Sequence, residues 1–162
     1  MLRLLDANVF ITAKNTYYGF DLVPAFWTWL EGRATAGVLA STDLVYQELK
    51  DGGDELAHWV GSRRELLFHV SSASSEVAGH VSDLGDWARG EGYREHVVED
   101  FMSCADPFLV GAAAAVGATI VTLETLAGAS RKKVKIPDAC SHLEVPYEDT
   151  FEMMRNLGAR FG

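Results

Sequence analysis

Four carboxylates stand where a folded chain could use them together. Asp6 follows the apolar run Leu2, Leu4 and Leu5. Glu48 lies near the end of a helical stretch, Asp106 directly precedes Pro107, and Glu124 comes just past a β-branched run that ends at Thr122. Acids brought together repel one another and burial raises their pKa values, so a cluster of this kind calls for divalent cations. Oxygen ligands without neighbouring Cys or His favour Mg²⁺ or Mn²⁺ over zinc. The chemistry that suits such a site is phosphodiester hydrolysis. The metals lower the pKa of an attacking water and offset charge on the leaving oxygen, with two ions about 3.5–4 Å apart where both bind. Each acid also has an ordinary reading. Asp6 or Asn8 can cap the helix beginning near Val9, Asp106 can cap the one opening at Pro107, and Glu48 and Glu124 can be surface acids. Spacing alone leaves both readings open.

The elements that would position these residues alternate in type. Leu2 to Leu5 reads as a short strand covered on both faces, which places Asp6 at its carboxyl end, where open α/β sheets hold their ligands. A loop from Asn15 to Leu22 carries Tyr17, Tyr18 and Phe20. Pro24 opens a helix to about Gly32, with Phe26, Trp27 and Leu30 on one face and Trp29 left over. Gly37 to Ala40 is a second strand. Ser41 or Thr42 caps a helix from Asp43 to Lys50, and a further helix spans Asp54 to Leu66. Leu67 to Val70 reads as a third strand. Helices follow from Glu76 to about Ala88 and from Tyr93 to Met102, the latter with a solvated acidic face of Glu95, Glu99 and Asp100. Pro107 to Val116 is a helix whose small residues, Gly111 and Ala112 to Ala115, let it lie close on a sheet. Ala118 to Thr122 is a strand, Arg131 to Lys135 a basic loop or edge strand, Pro137 to Cys140 a short helix, and Glu148 to Leu157 the last helix. Strands alternating with helices predict an α/β fold with a mainly parallel sheet.

Composition bounds the function. The 162 residues, 48% of them hydrophobic, suit one domain with a sizeable core. Cys104 and Cys140 lie far apart and form no CxxC pair, which suggests neither a zinc site nor a disulfide framework and fits a reducing cytoplasm. No charged n-region, apolar h-region and cleavage site open the chain, so no secretion signal is expected. The longest uncharged run, Pro107 to Leu123, is too short and too rich in Ala and Gly to span a bilayer. A net charge of −9 argues against a general polyanion-binding surface, less so if several acids hold cations. Ser71 to Ser75 lacks a nucleophile elbow, and the five histidines, His58, His69, His80, His96 and His142, show no metal-ligand spacing.

The ordered set Leu4-Leu5-Asp6-Ala7-Asn8-Val9-Phe10-Ile11, Glu48, Ala105-Asp106-Pro107-Phe108-Leu109-Val110 and Ile120-Val121-Thr122-Leu123-Glu124 resembles the PIN domain, the metal-dependent ribonuclease fold of VapC-like toxins. The stretch Lys133 to Cys140 is similar to a PIN-like family found beside helix-turn-helix antitoxin partners. The resemblance spans essentially the whole chain, 1–162, as a single domain. It implies a PIN-like three-layer α/β/α sandwich, Mg²⁺ or Mn²⁺ at Asp6, Glu48, Asp106 and Glu124, and RNA cleavage that leaves a 5′-phosphate and a 3′-hydroxyl. Glu124 departs from the Asp common at its position and is one methylene longer. Thr122 resembles the hydroxyl residue that supports such sites, and Asn8 could orient water or Asp6. The partners implied are an RNA substrate, an antitoxin and a second copy of the chain, in the cytoplasm.

RNA would need cations, and Lys14, Arg131, Lys132, Lys133 and Lys135 are the candidates; the ordinary reading of the 131–135 run is a solvated loop. Asp138 either caps the short helix after Pro137 or adds an acid near the site. A non-catalytic PIN-like binding module is the main rival. A phosphatase of the haloacid dehalogenase type would need a second Asp where Asn8 stands. A structure-specific DNA nuclease on this fold would carry more acids and large insertions, for which the chain has little room.

Overall fold

A computed structural model describes every residue from 1 to 162. At its centre lies β1 (Arg3–Leu5), whose Leu4 and Leu5 have no exposed surface. A strand so enclosed needs helices on both faces. The chain continues through α1 (Ala7–Thr12), α2 (Pro24–Thr35), β2 (Leu39–Ala40), α3 (Asp43–Asp51), α4 (Glu55–Gly61) and α5 (Arg64–Leu67). It then forms α6 (Ser75–Gly90), α7 (Glu95–Met102), α8 (Asp106–Val116), β3 (Thr119–Val121), α9 (Ile136–His142), β4 (Tyr147–Glu148) and α10 (Thr150–Asn156). The strand order is β2-β1-β3-β4 and every pairing is parallel. Parallel neighbours require crossovers, which the helices provide, and an α/β/α sandwich results.

Register sets up the site. Leu5 of β1 lies opposite Val121 of β3, so the next residues, Asp6 and Thr122, leave the sheet side by side. The Asp6 N–H donates to Val121 O at 2.9 Å and the Thr122 N–H to Glu148 O at 3.0 Å, which holds this edge in line. α8 ends at Gly117, whose φ of 72° reverses the chain into β3. Gly111 does let α8 approach a neighbour closely, but that neighbour is α6 rather than the sheet. A Cβ there would meet Val77 O at 3.3 Å.

Three local expectations change and one open alternative closes. Leu67 to Val70 is no strand: Leu67 ends α5, and only Val70 bridges to Thr42. A short apolar run is equally compatible with a buried helix end, and here Leu67 and Phe68 both turn into the core. The helix expected over 54–66 breaks between α4 and α5, where Arg63 pairs with Glu31 of α2 and covers the Trp59 ring at 4.4 Å. Glu148 belongs to β4, not to the last helix. It pairs beside Val121, its carboxylate takes Arg3 and Asn156, and α10 begins only after Asp149, which makes a capping box with Glu152. The 131–135 run is a loop, not an edge strand. Most of the aromatic stretch is spent internally: Tyr18 stacks on Phe26 at 4.4 Å, Phe20 on Trp27 at 4.2 Å, and Trp29 is half-buried against Phe26 and Phe161, while Tyr17 stays exposed.

Candidate metal centre

Asp6 occupies the N-cap position of α1 with extended backbone, yet its side chain makes no capping bond. Its Oδ2 instead accepts from Thr122 Oγ1 at 3.1 Å, and that hydroxyl oxygen accepts from the Glu124 N–H at 3.1 Å. One hydroxyl just past β3 therefore orients Asp6 and anchors the start of the Glu124 loop. Asp106 does not cap α8 either. Ala105 is the N-cap, Asp106 is the first helical residue, and no side-chain cap bond forms. Both carboxylates line a common opening rather than serving their own helix ends, and for Asp6 the β1–β3 register sets this. Thr42, by contrast, does cap α3, accepting from Val45 N–H at 3.3 Å. α3 buries Val45 and Leu49, which leaves Glu48 on the exposed lip.

These residues meet at a cleft of about 290 Å³, lined by Asp6, Asn8, Glu48 and Asp106. Asn8 is exposed in that lining and makes no hydrogen bond to Asp6. Glu124 is not part of the lining. Its Oε1 accepts from Lys133 Nζ at 3.1 Å and its Oε2 from the Ile136 N–H at 3.4 Å. Lys132 and Lys133 line the cleft, but the other proposed cations serve elsewhere. Lys14 pairs with Asp54 at 2.8 Å. Arg131 donates to the carbonyls of Glu91, Gly128 and Ser130 and lies over Tyr93, so it pins its own loop. Lys135 is the N-cap residue of α9. Asp138 is neither a cap nor a cleft acid; it accepts from the Ala127 N–H at 3.0 Å and ties that loop to α9.

Sequence reading missed the wall contributed by α7 and the residue just beyond it. Val97, Asp100, Phe101 and Cys104 all line the cleft. Their spacing of i, i+3, i+4 and i+7 is the signal that could have found them, since it puts them on one helical face. Asp100 is thus an acid of the cleft rim rather than only of a solvated face.

The charge is badly balanced. Burial, then the Asp106 and Glu124 charges, push Asp6 up to about 7, against the opposing Thr122 hydrogen bond. Burial and the Glu124 charge push Asp106 up to about 6, while Lys133 opposes the rise. Glu48 is also raised, by burial, with Lys133 again opposing. Burial pulls the Lys133 ammonium down, but bonding and attraction to Glu124 carry it above its ordinary value. The Cys104 thiol is pushed up to about 11 by burial and by Asp106, and it contacts Phe101 O at 3.1 Å, so it is a poor nucleophile. Hard oxygen donors with excess negative charge fit Mg²⁺ or Mn²⁺. No group of three or more His, Cys, Asp or Glu is set at metal-holding geometry, and Lys133 is the cation placed among these acids.

The parallel sheet, the flanking helices and the cleft at the strand ends define a PIN-like α/β fold. The crystal structure of VapBC2 from Rickettsia felis bound to a DNA fragment from their promoter contains a chain with that fold. It aligns at a TM-score of 0.58 and 16% identity, over 92% of this chain and 98% of that one. This chain belongs to the family described as Domain of unknown function (DUF4411), which it matches over residues 4–161. No curated protein matches it. No helix is long and apolar enough to cross a membrane.

Proposed function

We propose that this chain is a Mg²⁺- or Mn²⁺-dependent endoribonuclease and the toxin member of a type II toxin–antitoxin pair. The observation that carries the reading is the gathering of Asp6, Glu48 and Asp106 on one cleft with their carboxyls all raised. A bound divalent cation supplies a lowered pKa for water and offsets charge on the phosphate. Asp6, Asp106 and Glu48 would hold it, with Thr122 keeping Asp6 turned to the opening and Asn8 at the mouth for water or phosphate. Hydrolysis adds one water: its oxygen bonds to phosphorus, the P–O3′ bond breaks, and a proton passes to the leaving 3′ oxygen. The products are a 5′-phosphate and a 3′-hydroxyl, as the PIN resemblance implies. The likeness to a VapBC2 chain supports an antitoxin protein as the partner, one that would cover the cleft and pair a cation with its acids.

A non-catalytic PIN-like binding module is the second reading. The observation in its favour is that no acid group is set to hold a metal and that Lys133 already neutralises Glu124. Titration with Mg²⁺ and Mn²⁺ alongside RNA cleavage separates the two, using wild type, Asp6→Asn and Asp106→Asn. The nuclease reading expects metal-dependent cleavage, lost by about 100-fold or more in both variants, as for removal of a group that stabilises the transition state. A wild type that binds no metal at millimolar concentration and cleaves no RNA establishes the binding module instead.

A further inference from the structure

Glu124 is the acid of the quartet whose two oxygens are both taken, one by Lys133 Nζ and the other by the Ile136 N–H. Its side chain is 9% exposed, whereas that of Lys133 is 56% exposed. An ammonium has three donor hydrogens, and Glu124 accounts for only one bond, so the rest can face the cleft that Lys133 lines with Asp6 and Asp106. The placement is fixed by the backbone. Val134 and Ile136 are buried on either side of Lys135, Arg131 is tied to three carbonyls, and Asp138 holds Ala127.

We propose that the centre takes one divalent cation, at Asp6, Asp106 and Glu48, and that Lys133, anchored on Glu124, supplies the second positive charge facing the phosphate. The inference rests on the nuclease reading and sets its metal stoichiometry. In two-metal sites a pair of ions clamps the attacking and leaving oxygens. A lysine is a compact point charge that can take the electrostatic share of one of them. A second ion would have to take Glu124 from both Lys133 and Ile136. It would also turn the set of four carboxylates, one ammonium and one divalent cation from a slight negative excess into a slight positive one.

The test counts Mn²⁺ ions per chain by calorimetry and electron paramagnetic resonance in wild type, Lys133→Gln and Lys133→Arg, with RNA cleavage in parallel. Lys133 is a half-exposed loop residue, so these variants fold. The expected results are one Mn²⁺ per wild-type chain and retained Mn²⁺ binding in Lys133→Gln. Cleavage in that variant falls about 100-fold in kcat with little change in KM, and Lys133→Arg recovers most of it. A second Mn²⁺ bound only by Lys133→Gln supports the proposal too, because it enters the place the ammonium held. Two Mn²⁺ per wild-type chain with brisk cleavage overturns this inference and leaves the nuclease reading standing, as does wild-type kcat in Lys133→Gln. A wild type that binds no Mn²⁺ overturns both.

Discussion

Asp6 is 2% exposed and its carboxyl is pushed up to about 7, while that of Asp106 rises to about 6. In the unfolded chain both return to about 3.9. Between those values the folded protein binds more protons than the unfolded one, so this contribution to the stability of the metal-free protein falls as pH rises from about 4 through 7. Asp6→Asn removes the charge that must be ionised in a buried site and keeps an oxygen to accept from Thr122. Thermal melts in the presence of a chelator should therefore show the variant more stable than wild type at pH 8, by at most about 4 kcal/mol from three pKa units, with the gap closing toward pH 4. A gap that stays constant with pH would mean that the Asp6 carboxyl is ionised without penalty. The same protons compete with cations, so Mn²⁺ affinity of the wild type should climb between pH 6 and 8.

At the scale of elements, the loop between β3 and α9 carries Glu124 and Lys133, and the site depends on how firmly it is tied. Asp138→Ala removes the acceptor for the half-buried Ala127 N–H, at a cost of about 1 kcal/mol. Its expected signature is local: faster tryptic cleavage at Arg131 and Lys132 and faster amide exchange over 125–132, with the global melt little moved. Unchanged proteolysis would show that Arg131 alone holds the loop. The strands bearing Asp6 and Thr122 were legible because each is an apolar or β-branched run with an acid or hydroxyl at its end. Glu148 was not legible as a strand, since a two-residue pairing leaves no periodicity, and its neighbour Asp149 is a strong helix start. The roles of Asp6 and Asp106 were ambiguous for a different reason. Capping and chemistry ask for the same residue at the same place, and only tertiary structure decides between them: the pairing of Leu5 with Val121 for Asp6, and the place of α8 beside the cleft for Asp106. The face of α7 was present in the spacing of Val97, Asp100, Phe101 and Cys104. Its docking beside Asp106, which makes it a wall of the cleft, is a tertiary fact.

On the whole molecule the cleft has two unlike shoulders, and this answers how a chain of net charge −9 could hold a polyanion. On one side, Val97 and Lys132 lead into an open trough of about 400 Å³ with Arg94, His96 and Arg131. On the other, Glu48 and Cys104 lead into a groove with Leu44, Met102 and Phe108. Arg3, Lys14, Arg63 and Arg89 are all committed to ion pairs, whereas Arg94 and Lys132 are exposed and form none. Phosphates flanking the scissile one are therefore expected along the Arg94 and Lys132 side. Binding of single-stranded RNA is best read by fluorescence anisotropy in an Asp106→Asn background, where cleavage does not interfere. Adding Arg94→Glu and Lys132→Glu should weaken binding and lower the salt slope by about 1.4, the value for two lost phosphate contacts on a single strand. Arg94→Glu alone should leave the Mn²⁺ affinity of the otherwise wild-type protein unchanged, because Arg94 does not line the acid cleft. Lys14→Glu should leave RNA binding nearly unaltered, because Lys14 is paired away from the cleft. If Lys14 and the trough pair weaken binding equally, the attraction is a diffuse field effect and no strand path runs over the trough. If only the trough variants do so, the local basic shoulder is what lets an acidic protein bring a phosphate down to its carboxylates.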